Sequence, residues 1–188
     1  ATHLNAHALF YASEMTPHQF ASRYLFPYLG IEEPRWDHGY LNINDGATNL
    51  YLNLRDMVKL GQLYIQNGYS GSNQILSREW IHKATKSQVS TDYVNDPSYS
   101  PIYKMIAKLV GFYLPSGYGY LWWIPEIDDS FLAMGYGGQF ILVVQKYNLV
   151  VGTQSLLANK FYLNMLQSNR LLKTILYDLV PLFSNRDS

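Results

Sequence analysis

Apolar positions along the chain follow two different periods, and the change between them marks out the layout. Over 3–12 the spacing is helical. Thr16-Pro17 then supplies an N-cap followed by proline at the first helical position, and Phe20, Tyr24 and Leu25 recur at helical spacing until Pro27 predicts a stop near Phe26. Residues 27–49, rich in Gly, Pro, Asn and Asp, read as loop. Asn53 predicts the cap of a helix over 54–66, with Met57, Leu60, Gly61, Tyr64 and Ile65 facing inward and Asn67-Gly68 ending it. Ser77 predicts a shorter helix to about Lys86, with Trp80, Ile81 and Ala84 inward. Residues 87–117 read as irregular around a short amphipathic helix at 103–112.

The period then changes. Residues 118–124, 131–145 and 149–155 are apolar runs separated by turn residues, the pattern of an antiparallel meander with a break or hairpin at the glycines of the middle run. Leu171, Leu172, Ile175, Leu176, Leu179 and Val180 return to helical spacing and predict a C-terminal amphipathic helix ended by Pro181. Helices, then antiparallel strands at about 118–155, then a closing helix predict an α+β fold.

Composition narrows the function classes. The 188 residues carry 14 basic and 14 acidic side chains, so no basic excess exists to neutralise phosphates and nucleic acid is not an expected partner. With 48% apolar residues the chain is not of the disordered class. The absence of cysteine removes thiol nucleophiles and Cys-type zinc sites. No apolar stretch approaches the about 20 residues of a bilayer span, and the first residues lack the basic and apolar regions of a signal peptide.

Candidate chemistry is sparse. His3 and His7 stand four apart on the first predicted helix, but a metal site needs a third ligand and none is obvious, so they read as partly buried helix histidines and no metal or cofactor is expected. His38 reads as a surface-loop residue. No Gly-x-Ser-x-Gly elbow, phosphate loop or dinucleotide fingerprint occurs, and no Ser is followed three residues later by Lys. Gly135-Tyr136-Gly137-Gly138-Gln139 is the most unusual local feature. Glycines inside an apolar strand mark a tight bend or a close approach by another group. Two readings stay open: a two-residue hairpin turn, or a strand edge offering a backbone N–H to a developing oxyanion.

Several segments together resemble the serine β-lactamase-related family, which holds class C β-lactamases, penicillin-binding peptidases, and esterases and amide hydrolases of the same fold. They are Leu25-Phe26-Pro27-Tyr28-Leu29-Gly30-Ile31 with Trp36, then Arg55-Asp56-Met57-Val58-Lys59-Leu60-Gly61-Gln62-Leu63-Tyr64, then Ile75-Leu76-Ser77-Arg78-Glu79-Trp80-Ile81, then Tyr118-Gly119-Tyr120-Leu121-Trp122-Trp123, and Ala133 to Ile141 with its Gly-Tyr-Gly-Gly-Gln. The resemblance implies a β-lactamase/transpeptidase-like fold. It also implies that residues 1–188 are the C-terminal portion of a single domain, whose Ser-x-x-Lys and Tyr-x-Asn motifs lie before Ala1.

The chain would then hold only the third motif, a strand triplet of basic residue, Thr or other, and Gly. Placing Ala133-Met134-Gly135 on it makes the Tyr136 N–H the oxyanion donor; the alternative placement, Tyr136-Gly137-Gly138, gives that role to Gln139. Neither carries the basic residue that would hold a substrate carboxylate, which points toward uncharged esters or amides. Trp36, Tyr118, Trp122 and Trp123 are the candidate pocket wall, although strand aromatics are also core residues. The implied partners are a small ester or amide substrate and the N-terminal remainder of the same protein. The implied location, by analogy, is periplasmic or secreted. The other class of reading is a non-catalytic binding or scaffold relative, which the missing basic residue also fits.

Overall fold

A computed structural model of the chain describes residues 2–91, 100–102, 104–105 and 113–184. It divides into two compact units, residues 1–77 and 78–188. The helix expected at 103–112 falls almost wholly outside the described residues.

In the first unit, α1 (Thr2–Ser13) is followed by α2 (Pro17–Tyr24). Thr16 caps α2 through a reciprocal pair: its hydroxyl accepts the Gln19 N–H, and the Gln19 side chain accepts the Thr16 N–H. Pro27 does not end the helical path. It occupies the first turn of a new four-residue helix, α3 (Phe26–Leu29), where a missing N–H costs nothing, and Gly30 at φ 59° ends that turn. Tyr24 is exposed, while Ala21 and Phe26 are buried.

The segment after α3 is an irregular ribbon, with bridges Trp36–Leu50 and His38–Asn44. The fully buried Asn44 pins it to α2 by accepting the His18 N–H at 3.0 Å and donating to the Trp36 carbonyl at 2.8 Å. Asn53 caps α4 (Leu54–Ile65) through the Asp56 N–H, as the sequence predicts. The buried positions of α4 are Asp56, Gly61 and Leu63, whereas the predicted Met57, Leu60, Tyr64 and Ile65 are half-buried. Asp56 tolerates burial because the Lys59 ammonium lies 2.7 Å away and the Asn53 amide donates to it. A short hairpin, β1 (Tyr69–Ser70) with β2 (Asn73–Gln74), completes the unit.

The second unit opens with α5 (Arg78–Ala84), which buries Ile81 and Ala84 as expected. Trp80 does not turn inward; it is exposed and stacks on Tyr120 at 5.6 Å. A six-stranded antiparallel sheet follows in sequence order: β3 (Val89–Ser90), β4 (Gly117–Tyr118), β5 (Trp123–Ile124), β6 (Ser130–Gly135), β7 (Gln139–Val144) and β8 (Leu149–Thr153). The run 118–124, predicted as one strand, is itself a hairpin pairing Tyr118 with Trp123. It reverses at Gly119–Leu121, where the Tyr120 N–H bonds the Ala84 carbonyl of α5 at 2.9 Å and Leu121 takes φ 66°.

Strand β7, between β6 and β8, is buried on both faces from Phe140 to Val144, which explains its unbroken apolar run. Phe140, Leu142 and Val144 join Leu132 and the buried face of the last long helix, α6 (Phe161–Lys173). That helix begins ten residues before the predicted stripe. It runs on through a π-helical stretch, Thr174–Leu179, in which the Val180 N–H reaches back to the Ile175 carbonyl. The predicted apolar stripe packs as expected: Leu172, Ile175, Leu176 and Val180 are buried, and Leu171 and Leu179 lie against them. Pro181, predicted as a stop, instead starts a final turn, α7 (Pro181–Ser184).

Candidate functional site

The glycine run is a hairpin. Gly135 ends β6, Gln139 opens β7 opposite it, and Tyr136, Gly137 and Gly138 form the three-residue loop. Gly137 and Gly138 take φ of 80° and 93°, a region that L side chains avoid. At Gly138 space is also short, since an added Cβ would stand 2.9 Å from Ser155 Oγ and 3.2 Å from Leu171 Cδ2. The Gly138 carbonyl is held by the Thr153 hydroxyl on β8 at 2.9 Å.

The tip residue is fixed from the helix. Tyr136 stacks on Phe161 of α6 at 5.5 Å and 18°, and its hydroxyl accepts from the Asn164 amide at 2.9 Å. Asn164 is buried and fully paired: its carbonyl accepts the Ala158 N–H at 2.7 Å, and its amide also donates to the Ala158 carbonyl at 3.0 Å. One buried amide therefore ties the hairpin tip, the loop before α6 and α6 itself together.

Between this tip and α6 lies a cavity of about 280 Å³. Met134, Gly135, Tyr136 and Gly137 form one wall, and Tyr113, Phe161, Met165 and Asn169 lie opposite. No acidic or basic side chain lines it among the described residues. Its one titratable group besides Tyr136 is the Tyr113 phenol, pushed up to about 12, first by burial and then by the nearby Tyr177 and Glu126, against a favourable backbone hydrogen bond at Glu126. The sign of the resulting pH effect follows from linkage. The unfolded chain ionises this phenol near pH 10 and the folded one near 12, so stability that is intact below pH 10 falls as pH rises through that interval. Chemical denaturation at stepped alkaline pH is expected to show that fall. Tyr113→Phe is expected to shrink it, and an unchanged slope in the variant would refute the assignment.

The predicted site residues separate. Gly135, Tyr136 and Gly137 line the cavity, while Gly138, the last loop residue, and Gln139, the first of β7, are outside its lining. Trp122 is buried edge-on against Phe131 at 4.9 Å, on the sheet face opposite α6. Trp123 packs on the α6 side and meets Tyr118 edge-to-face at 4.8 Å, where burial pushes the Tyr118 phenol up. Trp36 belongs to the first unit, packs on its core and donates its indole N–H to the Asp45 carbonyl at 2.8 Å. Tyr118, Trp122 and Trp123 are not among the cavity's lining residues.

Tyr-x-Asn triplets do occur within the chain, at 40–42, 51–53, 93–95 and 162–164. Among the described ones, Asn53 is spent on the α4 cap, Asn164 on the lock at Tyr136, and Tyr40–Asn42 is an exposed 3₁₀ turn. The residues that sequence reasoning missed are Asn164, Phe161, Met165 and Asn169. Phe161, Met165, Ser168 and Leu172 form a helical stripe, and that periodicity would have carried the last helix back to this wall.

No protein-family model matches the sequence, and no curated protein matches it. Solved structures do. A protein of Bacteroides dorei DSM 17855 provisionally named a beta-lactamase superposes with TM-score 0.64 at 16% identity, covering 90% of this chain and 54% of that one. One of Bacillus anthracis provisionally named a 6-aminohexanoate-dimer hydrolase superposes with TM-score 0.59 at 19% identity, covering 90% of this chain and 41% of that one. The chain therefore has the β-lactamase-like α+β fold and spans about half the length of these structures. No helix among the described residues is long and apolar enough to cross a membrane.

Proposed function

We propose that the chain is the C-terminal portion of a serine hydrolase domain that cleaves an ester, amide or β-lactam-like carbonyl through an acyl-enzyme. Its nucleophile-bearing portion lies upstream, and the protein works in the periplasm or outside the cell. The observation that carries this reading is the rigid glycine hairpin at the end of β6, in a β-lactamase-like fold. In the reaction, an upstream Ser attacks the carbonyl carbon and a Lys/Tyr pair takes its proton. The N–H of Tyr136, or of Gln139 in the alternative placement, then bonds the oxygen that becomes negative. A donor held in place before the reaction needs no reorganisation as charge develops, and losing one costs about 10²–10³ in kcat. The stacked and hydrogen-bonded Tyr136 supports such pre-organisation. Ala133 or Tyr136 at the basic position, together with the uncharged cavity, supports an uncharged substrate.

The same missing charge favours the second reading, a binding or scaffold protein without turnover. Treatment of the full-length protein with a serine-reactive phosphonate separates the two. The expected result is one covalent adduct on an upstream Ser and loss of activity against an activated ester. Folded full-length protein that neither labels nor turns over ester would sink the hydrolase and leave the binding reading. Residues 1–188 alone are expected to be inactive.

A further inference from the structure

At the start of α1 the imidazoles of His3 and His7 meet with their Nε2 atoms 3.2 Å apart, the rings edge-on at 4.8 Å and 78°. Four residues along a helix is one turn, so both rings rise from one face. We infer that these two nitrogens chelate one borderline divalent cation of the Zn²⁺ kind.

The bite of the pair suits such a cation. With Zn–N bonds of about 2.0–2.1 Å at a tetrahedral centre, two ligand nitrogens stand about 3.3–3.4 Å apart. The observed separation of 3.2 Å is close to that bite. Without a cation, one proton bridges the same gap. His3 Nδ1 accepts the Gly46 N–H at 3.3 Å, so its proton sits on Nε2 and is donated to His7 Nε2.

The second support is a carboxylate behind the ring. Asp45 Oδ1 stands 3.5 Å from His3 Nδ1. The Ala47 backbone N–H at 2.9 Å and the Thr48 hydroxyl at 2.8 Å donate to this carboxylate and fix its position. When Nε2 turns its lone pair to a cation, the His3 proton moves to Nδ1, the bond from the Gly46 N–H is given up, and Nδ1–H faces this carboxylate instead, the outer-shell pairing that orients metal-bound imidazoles and raises their basicity. The rest of the surroundings leave room. Gly39 forms a close wall, since an added Cβ there would stand 3.1 Å from His3 Cε1, and Tyr40 lies beyond His7 at 6.4 Å between rings. Among the described residues both imidazoles are half-buried.

Among the described residues no group of three or more His, Cys, Asp or Glu could hold a metal. The cation would therefore keep water on its remaining positions and exchange freely, unlike a closed structural zinc.

Calorimetric titration of Zn²⁺ into the full-length protein at neutral pH tests this. The expected result is one Zn²⁺ per chain. His3→Gln and His7→Gln should each weaken binding by at least about tenfold, Asp45→Asn by about tenfold, and His82→Gln should leave it unchanged. Imidazole ¹⁵N shifts on Zn²⁺ addition should be confined to His3 and His7, a readout that needs no variant. Absence of stoichiometric binding, undiminished binding in His7→Gln, or shifts centred on His18, His38 or His82 would each overturn the site.

Discussion

Phe140→Ala is expected to destabilise the chain by about 3–5 kcal/mol, the range for emptying a buried aromatic position. Phe140 is 1% exposed on β7, cross-strand from Met134 on β6 and Thr153 on β8, and it packs in the cluster with Leu172 and Leu176 of the last helix. Strands fill both sides and a helix covers the face, so little can collapse into the space left. A loss of this size is a large part of the about 5–15 kcal/mol that holds a typical domain folded. It also reaches the cavity, because Met134 and Leu172 line it. Urea unfolding followed by far-UV circular dichroism measures the change. A midpoint shift worth less than about 1 kcal/mol would contradict the burial described for this position.

Gly119→Ala is expected to cost about 3 kcal/mol, at the upper end for overpacking. An added Cβ would stand 2.2 Å from the Ala84 carbonyl oxygen and 2.8 Å from that of Lys86. Both are backbone atoms, so no rotamer change relieves the clash and the end of α5 must move from the hairpin. The Tyr120 N–H bond to Ala84 and the stacking of Trp80 on Tyr120 should weaken together. The near-ultraviolet dichroism of that aromatic pair should fall along with the unfolding midpoint. A variant as stable as the parent, with its aromatic signal intact, would show that the two segments do not approach as described.

The caps and the apolar strand were legible before the fold was known, since each depends on residues within one turn or one strand. The caps at Thr16 and Asn53 and the continuous run of β7 are such cases. The two prolines were misread for a related reason. Pro27 and Pro181 bar a hydrogen bond to the preceding turn, but nothing bars a helix from starting anew at either. The candidate site was half legible. The glycines announced the hairpin, while its helix wall was missed because Phe161 and Asn164 lie 25 or more residues beyond the tip they hold.

From its sequence alone the protein is a neutral, cysteine-free α+β chain with a glycine hairpin, two histidines one helical turn apart, and no nucleophile-base pair of the Ser-x-x-Lys type. The period of side chains along a helix or strand and the φ preference of glycine are enough to establish that much. Only the tertiary structure decided that 118–124 folds back on itself and that Tyr136 is locked by a buried amide. It alone set His3 and His7 at a metal-sized separation with a carboxylate behind them. Those outcomes depend on contacts with residues distant in the chain, Ala84 for the 118–124 turn, Asn164 for Tyr136 and Asp45 for His3, which packing sets and local spacing does not.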